Sequence, residues 1–420
     1  MIEKVSLFNS KRDFFLFFIL SSFILFYSLL IEYNEYKKFT RFDSQIINAS
    51  VVKQYSKTKD SKTLQILKLK SESGLNFYTS SKKQLKNLLE KRVSIKIYGG
   101  KISFYQYLTY FYAYTKIKFI YEDKTLKERL NSYISSSHLN KDITNIYQAL
   151  YTATPLSKEL QTTFSTLGVS HLLAISGFHL GVLSALLFFF LKPIYSFFQN
   201  RYFPYRNSKF DLFGIVIIIL LIYLMFLNSP PSLIRAFGML LVGFVLYDRG
   251  IKIISMQTLF ITVILLLCFF PKLFFALGFW LSVSGVFYIF LFLIHFKHLS
   301  KLWQFILIPF WVYLLMLPFS LVIFGNFSIY HPLSILWTSL FTLFYPTSIL
   351  LHIIGFGDLF DGLLESLILL AREPKQININ FIFLIIQIFI SLFSIFYKRF
   401  IYILLIFSLG FFIYAINHIT

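Results

Sequence analysis

Apolar positions along the chain fall into two regimes. Phe14 to Ile31 is an unbroken run of apolar and hydroxyl residues bounded by Arg12, Asp13 and Glu32, long enough to cross a bilayer as a helix. A cleaved signal peptide would end in small residues; the bulky, polar Glu32-Tyr33-Asn34-Glu35 that follows predicts a retained anchor instead. Residues 45–108 then alternate with period two, as in Leu64-Gln65-Ile66-Leu67-Lys68-Leu69-Lys70 and Arg92-Val93-Ser94-Ile95-Lys96-Ile97-Tyr98 before a Gly99-Gly100 turn. That pattern predicts a small antiparallel β-barrel of about five strands. Phe104 to Tyr121, crowded with Tyr and Phe, predicts a helix at the lipid headgroup level. From residue 171 onward the chain is almost continuously apolar, with charge-free runs at 171–191, 212–227, 232–247, 253–270, 273–295, 302–324, 329–354, 378–396 and 400–416. With the anchor these predict a polytopic α-helical membrane protein of about ten transmembrane helices and a β-rich, OB-fold-like domain between the first two spans. The expected divisions are a cytoplasmic start and anchor (1–31), the β-rich domain (32–110), an amphipathic helical linker (111–165) and a polytopic domain (166–420).

Charge sets the expected orientation. Lys4, Lys11 and Arg12, then Lys192, Arg201, Arg206 and Lys209, then Arg249 and Lys252, Lys297 and Lys301, and Arg372 and Lys375 all fall on one side if the N-terminus is cytoplasmic. Residues 32–165 then lie outside the cytoplasmic membrane. Lys398 and Arg399 break the rule by landing outside. Either the count is off by one, or part of 326–371 is a half-helix: 329–354 is overlong and holds Pro332 and Pro346, and Leu359 to Ala371 predicts an interfacial amphipathic helix.

The composition is 57% hydrophobic with only 14% charged residues, yet 40 Lys and Arg face 19 Asp and Glu, a net charge of +21. That excludes a soluble globular chain and predicts a membrane protein that meets something anionic. Residues 32–165 hold 23 of the basic residues against 11 acidic ones. Lys53, Lys68, Lys70, Phe77, Tyr78, Lys96 and Tyr98 are candidate contacts to single-stranded nucleic acid, by phosphate pairing and base stacking; a Lys-rich solvated face is the competing reading. Cys268 is the single cysteine, which rules out an intrachain disulfide and a cysteine metal cluster. No metal or cofactor is expected.

Two segments carry candidate chemistry. On one helix running through Gly168-Val-Ser-His171-Leu-Leu-Ala-Ile-Ser-Gly-Phe-His179-Leu-Gly181, Ala174, Gly177, Gly181 and Ala185 form a small-residue stripe for helix packing. His171, Ser176 and His179 fall opposite, toward protein or a water-filled cavity. In Asn228-Ser229-Pro230-Pro231-Ser232-Leu-Ile-Arg235, Ser229 is the expected N-cap and Pro230 the first helical residue, making an anion-binding helix N-terminus. Arg235 sits about one turn deeper, inside an apolar run.

The first of these segments closely resembles the hallmark of the ComEC family of competence proteins, DNA-uptake channels of the inner membrane. Ser229-Pro-Pro-Ser232-Leu-Ile-Arg235-Ala236, Pro271 with Gly278-Phe-Trp-Leu-Ser282, and Pro318 with Phe324-Gly-Asn-Phe-Ser328 agree in order, from about residue 145 to 340. The resemblance implies translocation of single-stranded DNA during natural transformation, with His171, Ser176, His179, Ser232 and Arg235 lining the path. Many members carry a metallo-β-lactamase-like domain; its H-x-H-x-D-H cluster is absent from this sequence, so transport is expected without a nuclease or other enzyme activity of its own. No Gly-x-x-x-x-Gly-Lys loop occurs. The implied partners are therefore single-stranded DNA, membrane lipids, a DNA-delivering receptor outside, an ATP-driven motor or DNA-binding protein in the cytoplasm, and a second copy of the chain. Two other classes stay open: an intramembrane hydrolase using His171, Ser176 and His179, and a small-molecule transporter.

Overall fold

The computed structural model describes residues 10–418 except 60–61, 73, 82–84, 86–87, 90, 99–101, 122–125, 174, 176, 228, 250–253 and 372–374, and leaves the side chains of 57–59, 62–63 and 231–232 undescribed. It divides into two units: Ser10–Arg129 with Ile264–Leu277, and Leu130–Val263 with Gly278–Thr420.

In the first unit, α1 (Lys11–Thr40) begins with a capping box in which Ser10 and Asp13 bond each other's backbone N–H. Its last turns enter the β domain: Tyr36 donates to the Ile102 carbonyl at 2.8 Å, and Phe39 is buried among Ala49, Leu69 and Phe111. The strands are β1 (Gln45–Lys59), β2 (Lys62–Ser71), β3 (Asn76–Ser81), β4 (Arg92–Tyr98), β5 (Phe111–Tyr112) and β6 (Tyr114–Ile120), with a one-turn α2 (Phe104–Leu108) before β5. Alternation decides the faces, since successive strand residues point to opposite sides. Val93, Ile95 and Ile97 are wholly buried while Arg92 and Tyr98 are exposed. β1 pairs with β4 through Gln45–Ser50 and with β2 through Ala49–Lys59, bending at a register shift between Val51 and Lys53. β3 pairs with β2 and, in parallel, with β5; β4 pairs with β6. The Ala113 N–H bonds the Tyr78 carbonyl at 2.9 Å, so β5 and β6 run on as one strand and the pairings close into a ring. Of the headgroup helix expected over 104–121, only α2 is helical; from Phe111 onward it is this closing strand. Its Phe111 and Ala113 point in and Tyr112 and Tyr114 point out, a two-residue period that its aromatic content masked.

In the second unit, α3 (Leu126–Ser137), α4 (Lys141–Thr152), α5 (Lys158–Thr166) and α6 (Ser170–Leu173) precede the long helices α7 (Gly177–Tyr202), α8 (Ser208–Phe226) and α9 (Pro231–Asp248). α10 (Met256–Phe269) leads into the segment that belongs to the first unit, with a 3-10 turn at Pro271–Phe275, before α11 (Leu277–His295) and α12 (Lys301–Phe324). β7 (Asn326–Phe327), α13 (Ser334–Ile354), α14 (Asp361–Leu369), β8 (Lys375–Gln376), α15 (Ile382–Phe393) and α16 (Lys398–Asn417) complete the chain. Among the described residues seven helices are long and apolar enough to cross a bilayer, and the chain is a multi-pass membrane protein. A buried polar knot ties four helices together: Gln387 donates to the Leu315 carbonyl at 3.2 Å and to the Tyr288 and Ser408 hydroxyls, and Trp311 donates to the Tyr288 carbonyl. Such bonds hold helices together where no hydrophobic drive exists between them.

Strand pairing bears on the region that charge counting left open. β7 pairs with β8, and the Ile377 N–H bonds the Gly325 carbonyl at 2.7 Å, so the end of α12 and the start of β8 lie side by side. Between them α13 is the single long described helix; α14 is too short to cross back. α13 packs against the α6–α7 entry and, through Tyr151, near the end of α8. It touches His171 through Thr338 and His179 through Tyr345, and its Ser348 accepts from Tyr151, whose carbonyl bonds Tyr223. The ends of α12 and α16 share one core, with Leu321 beside Ala415, and His295 bonds the Ser394 carbonyl at 3.2 Å. Lys398 and Arg399 therefore lie with Lys297 and Lys301, and Lys375 lies opposite. His331–Ile354 stays among the helices long and apolar enough to cross, with Pro346 inside it.

Candidate nucleic-acid face and membrane site

The barrel brings its basic and aromatic candidates into rows. Across β1, β2, β3 and β5, Lys53 faces Lys68, Lys68 faces Tyr78, and Tyr78 faces Tyr112. Across β4 and β6, Lys96 faces Lys116 and Tyr98 faces Tyr114. Lys68 Nζ lies 5.6 Å from the Tyr78 ring centre, Lys96 Nζ lies 5.4 Å from that of Tyr98, and Tyr78 stacks on Tyr112 at 5.3 Å. Like charges directly opposite each other destabilise a sheet by themselves. Partial burial, then the neighbouring Lys53, pulls the Lys68 pKa below its ordinary value; burial and Lys68 do the same to Lys70. An anion laid along the row would relieve both effects. Phe77 departs from expectation: it is wholly buried and stacks on Phe111 inside the barrel, because it is one residue out of phase with Tyr78.

In the membrane unit the expected continuous helix over 170–185 is broken. α6 ends at Leu173 and α7 starts at Gly177; Ala174 and Ser176, one from each predicted face, lie outside the described residues. The small-residue stripe is therefore interrupted. A Cβ on Gly177 would meet the Ala236 methyl at 3.6 Å, a close α7–α9 approach, whereas Gly181 and Ala185 face outward. His171 is exposed, 3.3 Å from the Thr338 hydroxyl. His179 is buried, its ring 4.5 Å from that of Tyr345 and 5.4 Å from that of Phe341. The two histidines thus point to different surroundings.

α9 starts one residue later than expected. Pro230 is the N-cap and Pro231 the first helical residue, while Ser229 takes a left-handed φ of 49° and its N–H bonds the Leu224 carbonyl at 2.9 Å, closing the end of α8. The side chain of Ser232 lies outside the described residues. Arg235 is 7% exposed and donates to the Gly278 carbonyl, joining the start of α9 to that of α11. Sequence reasoning missed His331, whose ring lies 2.9–3.0 Å from where a Cβ of Gly168 would be, with Tyr313 at 3.2 Å. Gly168 holds a left-handed φ of 70°; a glycine opening the hallmark run was the available signal. Among the described residues no group of three or more His, Cys, Asp or Glu could hold a metal ion.

The two ends of this site, the broken α6–α7 entry and the Pro-Pro start of α9, fall within the match to the sequence model of the family described as Competence protein, which covers residues 152–419. The chain belongs to the competence protein family. A stretch of 190 residues is 30% identical to ComE operon protein 3 of Bacillus subtilis (strain 168), over 43% of this chain and 23% of that protein. The chain thus matches under a quarter of that relative's length. No solved structure matches.

Proposed function

We propose that this competence protein carries single-stranded DNA across the cytoplasmic membrane during natural transformation. The observation that carries the reading is a competence-family membrane domain in one chain with a barrel whose outward rows pair Lys with Lys and Tyr with Tyr. The closed ring of strand pairings supports an OB-like binding barrel. In this reading the barrel gathers the strand by sequence-tolerant stacking and phosphate pairing. His171, Ser176 and Ser232 are candidates to line the path, whereas His179 and Arg235 hold its walls. The sides follow the basic residues: Lys297, Lys301, Lys398 and Arg399 cytoplasmic, the barrel outside. The chain acts as a path and not as an enzyme, so pulling and second-strand degradation fall to partners.

Uptake of fluorescently labelled DNA into the cytoplasm of a strain lacking this chain is the direct test. Loss of uptake, restored by the wild-type chain, is expected; normal entry without it removes the reading. An intramembrane hydrolase would instead lose function in Ser176→Ala while tolerating bulkier residues in the path.

A further inference from the structure

One buried cluster has no part in the DNA path. His138, in the loop after α3, has a fully buried side chain, with Nδ1 3.0 Å from both carboxylate oxygens of Asp361 and Nε2 3.1 Å from Nε2 of His352. His352, on the last turns of α13, sets its Nδ1 2.7 Å from the Ser348 carbonyl. Its neighbours fix where the hydrogens are. The Ser348 hydroxyl donates to the Tyr345 carbonyl at 2.9 Å, so the Tyr151 hydroxyl, 2.9 Å away, donates to Ser348. The Tyr151 oxygen, 3.2 Å from His352 Nδ1, is then left to accept. A carbonyl also only accepts, so His352 Nδ1 carries a hydrogen.

His138 Nδ1 faces an ionised carboxylate, which likewise only accepts. With both rings neutral, two Nε2 lone pairs would face each other across 3.1 Å inside the protein. One proton between them turns that repulsion into a charge-assisted hydrogen bond, and Asp361 balances its charge. The count is the same if the proton sits nearer Asp361: the three groups hold one proton more than a carboxylate and two neutral rings. The Tyr147 ring lies 4.4 Å from that of His138, nearly parallel, and 4.6 Å from that of His352, an aromatic face offered to a cation.

We propose that Asp361, His138 and His352 form a buried single-proton site that latches the α3–α4 loop to α13 and releases it when the proton leaves. The groups facing it come from every neighbouring element. Asp358, in the turn before α14, adds negative charge; Tyr133 of α3 donates to the His352 carbonyl at 2.9 Å; Tyr147 and Tyr151 belong to α4. Asn140 bonds Glu365 at 2.9 Å as a second tie. A cavity of about 350 Å³ lined by Leu130, Tyr133, Ile134, Tyr151, Ile349 and His352 adjoins the site. Release is favoured as pH rises, so the latch is closed at low pH and open at high pH.

Hydrogen–deuterium exchange on the full-length chain in nanodiscs, across a pH series that extends on both sides of the ordinary histidine range, reads the latch directly. After correction for intrinsic rates, exchange in the last turns of α13 and the α3–α4 loop is expected to rise about tenfold, the worth of one charge-assisted hydrogen bond. His138→Asn and His352→Gln are expected to remove that rise. Asp361→Asn, close in size but lacking the balancing charge, moves it to lower pH, and gives an independent reading should the ring variants fail to fold. Flat wild-type exchange overturns the proposal, as does a wild-type rise in H138N and H352Q or an unmoved rise in D361N. One equivalent of bound transition metal in the purified protein overturns it too, since the Nε2 atoms would then be ligands.

Discussion

Gly168 is under two separate demands. Its φ of 70° suits a residue without Cβ, and the His331 ring already occupies the space a Cβ would take, at 2.9–3.0 Å. The left-handed backbone alone costs an alanine about 1–2 kcal/mol, and the ring adds to it. Gly168→Ala is therefore expected to lower the melting temperature of the detergent-solubilised protein. His331→Ala in the same chain should return part of the loss, because it removes the ring but not the backbone strain. An unchanged melt in the single variant would show that the α5–α6 turn can reshape at no cost. Arg235 poses a sharper choice. It joins α9 to α11 through the Gly278 carbonyl, and a guanidinium taken from lipid must keep its partners. Arg235→Glu is expected to reduce the amount of protein in the membrane, measured by quantitative blotting, together with DNA uptake. Normal abundance with lost uptake would instead make Arg235 a contact to phosphate.

Among the elements, α13 makes the clearest prediction. Replacing Cys268 by serine leaves a chain without cysteine, into which single cysteines can be placed at Asn326, Ile353 and Lys375. Because β7 pairs with β8 and α14 is too short to cross back after α13, all three are expected to react with a membrane-impermeant maleimide added from one side. Cysteines at Lys301 and Lys398 should react from the other. Labelling of Ile353 together with Lys398 would mark α13 as a crossing. The barrel gives a second element-scale test, in which binding and stability move oppositely with pH. Lys68 and Lys70 have depressed pKa values, so the folded barrel carries the cost of their charged forms below those values. That cost is relieved as pH rises through them, and local stability rises until the unfolded lysines also deprotonate. Single-strand affinity should fall over the same alkaline interval, as the charges that meet phosphate disappear. Fluorescence anisotropy of a labelled oligonucleotide beside a denaturation series would show it, and affinity rising in parallel with stability would exclude Lys68 from the contact.

At the scale of the molecule, the sequence revealed class more fully than arrangement. The spans were legible because lipid requires long apolar runs, and the barrel because Arg92–Tyr98 alternates strictly. Hydropathy alone does not say how α13, followed by the short α14, lies in the bilayer. The strand residues that bear on its course, Asn326 with Gln376 and Phe327 with Lys375, pair across a long separation in sequence. Phe77 was misplaced for want of register, and His138, His352 and Asp361 are too far apart in the chain for any spacing rule to join them. The same contrast bears on function. Family membership rests on the membrane domain, yet the DNA reading leans equally on the barrel rows, so the two must be tested in one chain. Replacing Lys53, Lys68 and Lys96 by glutamine should leave the protein folded and inserted while weakening single-strand binding. The logarithmic salt slope should shrink by about 0.7 for each phosphate that is no longer neutralised. Tyr78→Ala with Tyr112→Ala should weaken binding by about 1–3 kcal/mol per stacked base with little change in that slope. If the barrel feeds the path, both variants lower the rate at which labelled DNA enters complemented cells, in proportion to how far they weaken binding. Uptake at the wild-type rate in cells whose barrel no longer binds would assign capture to another protein and leave this chain the membrane passage alone.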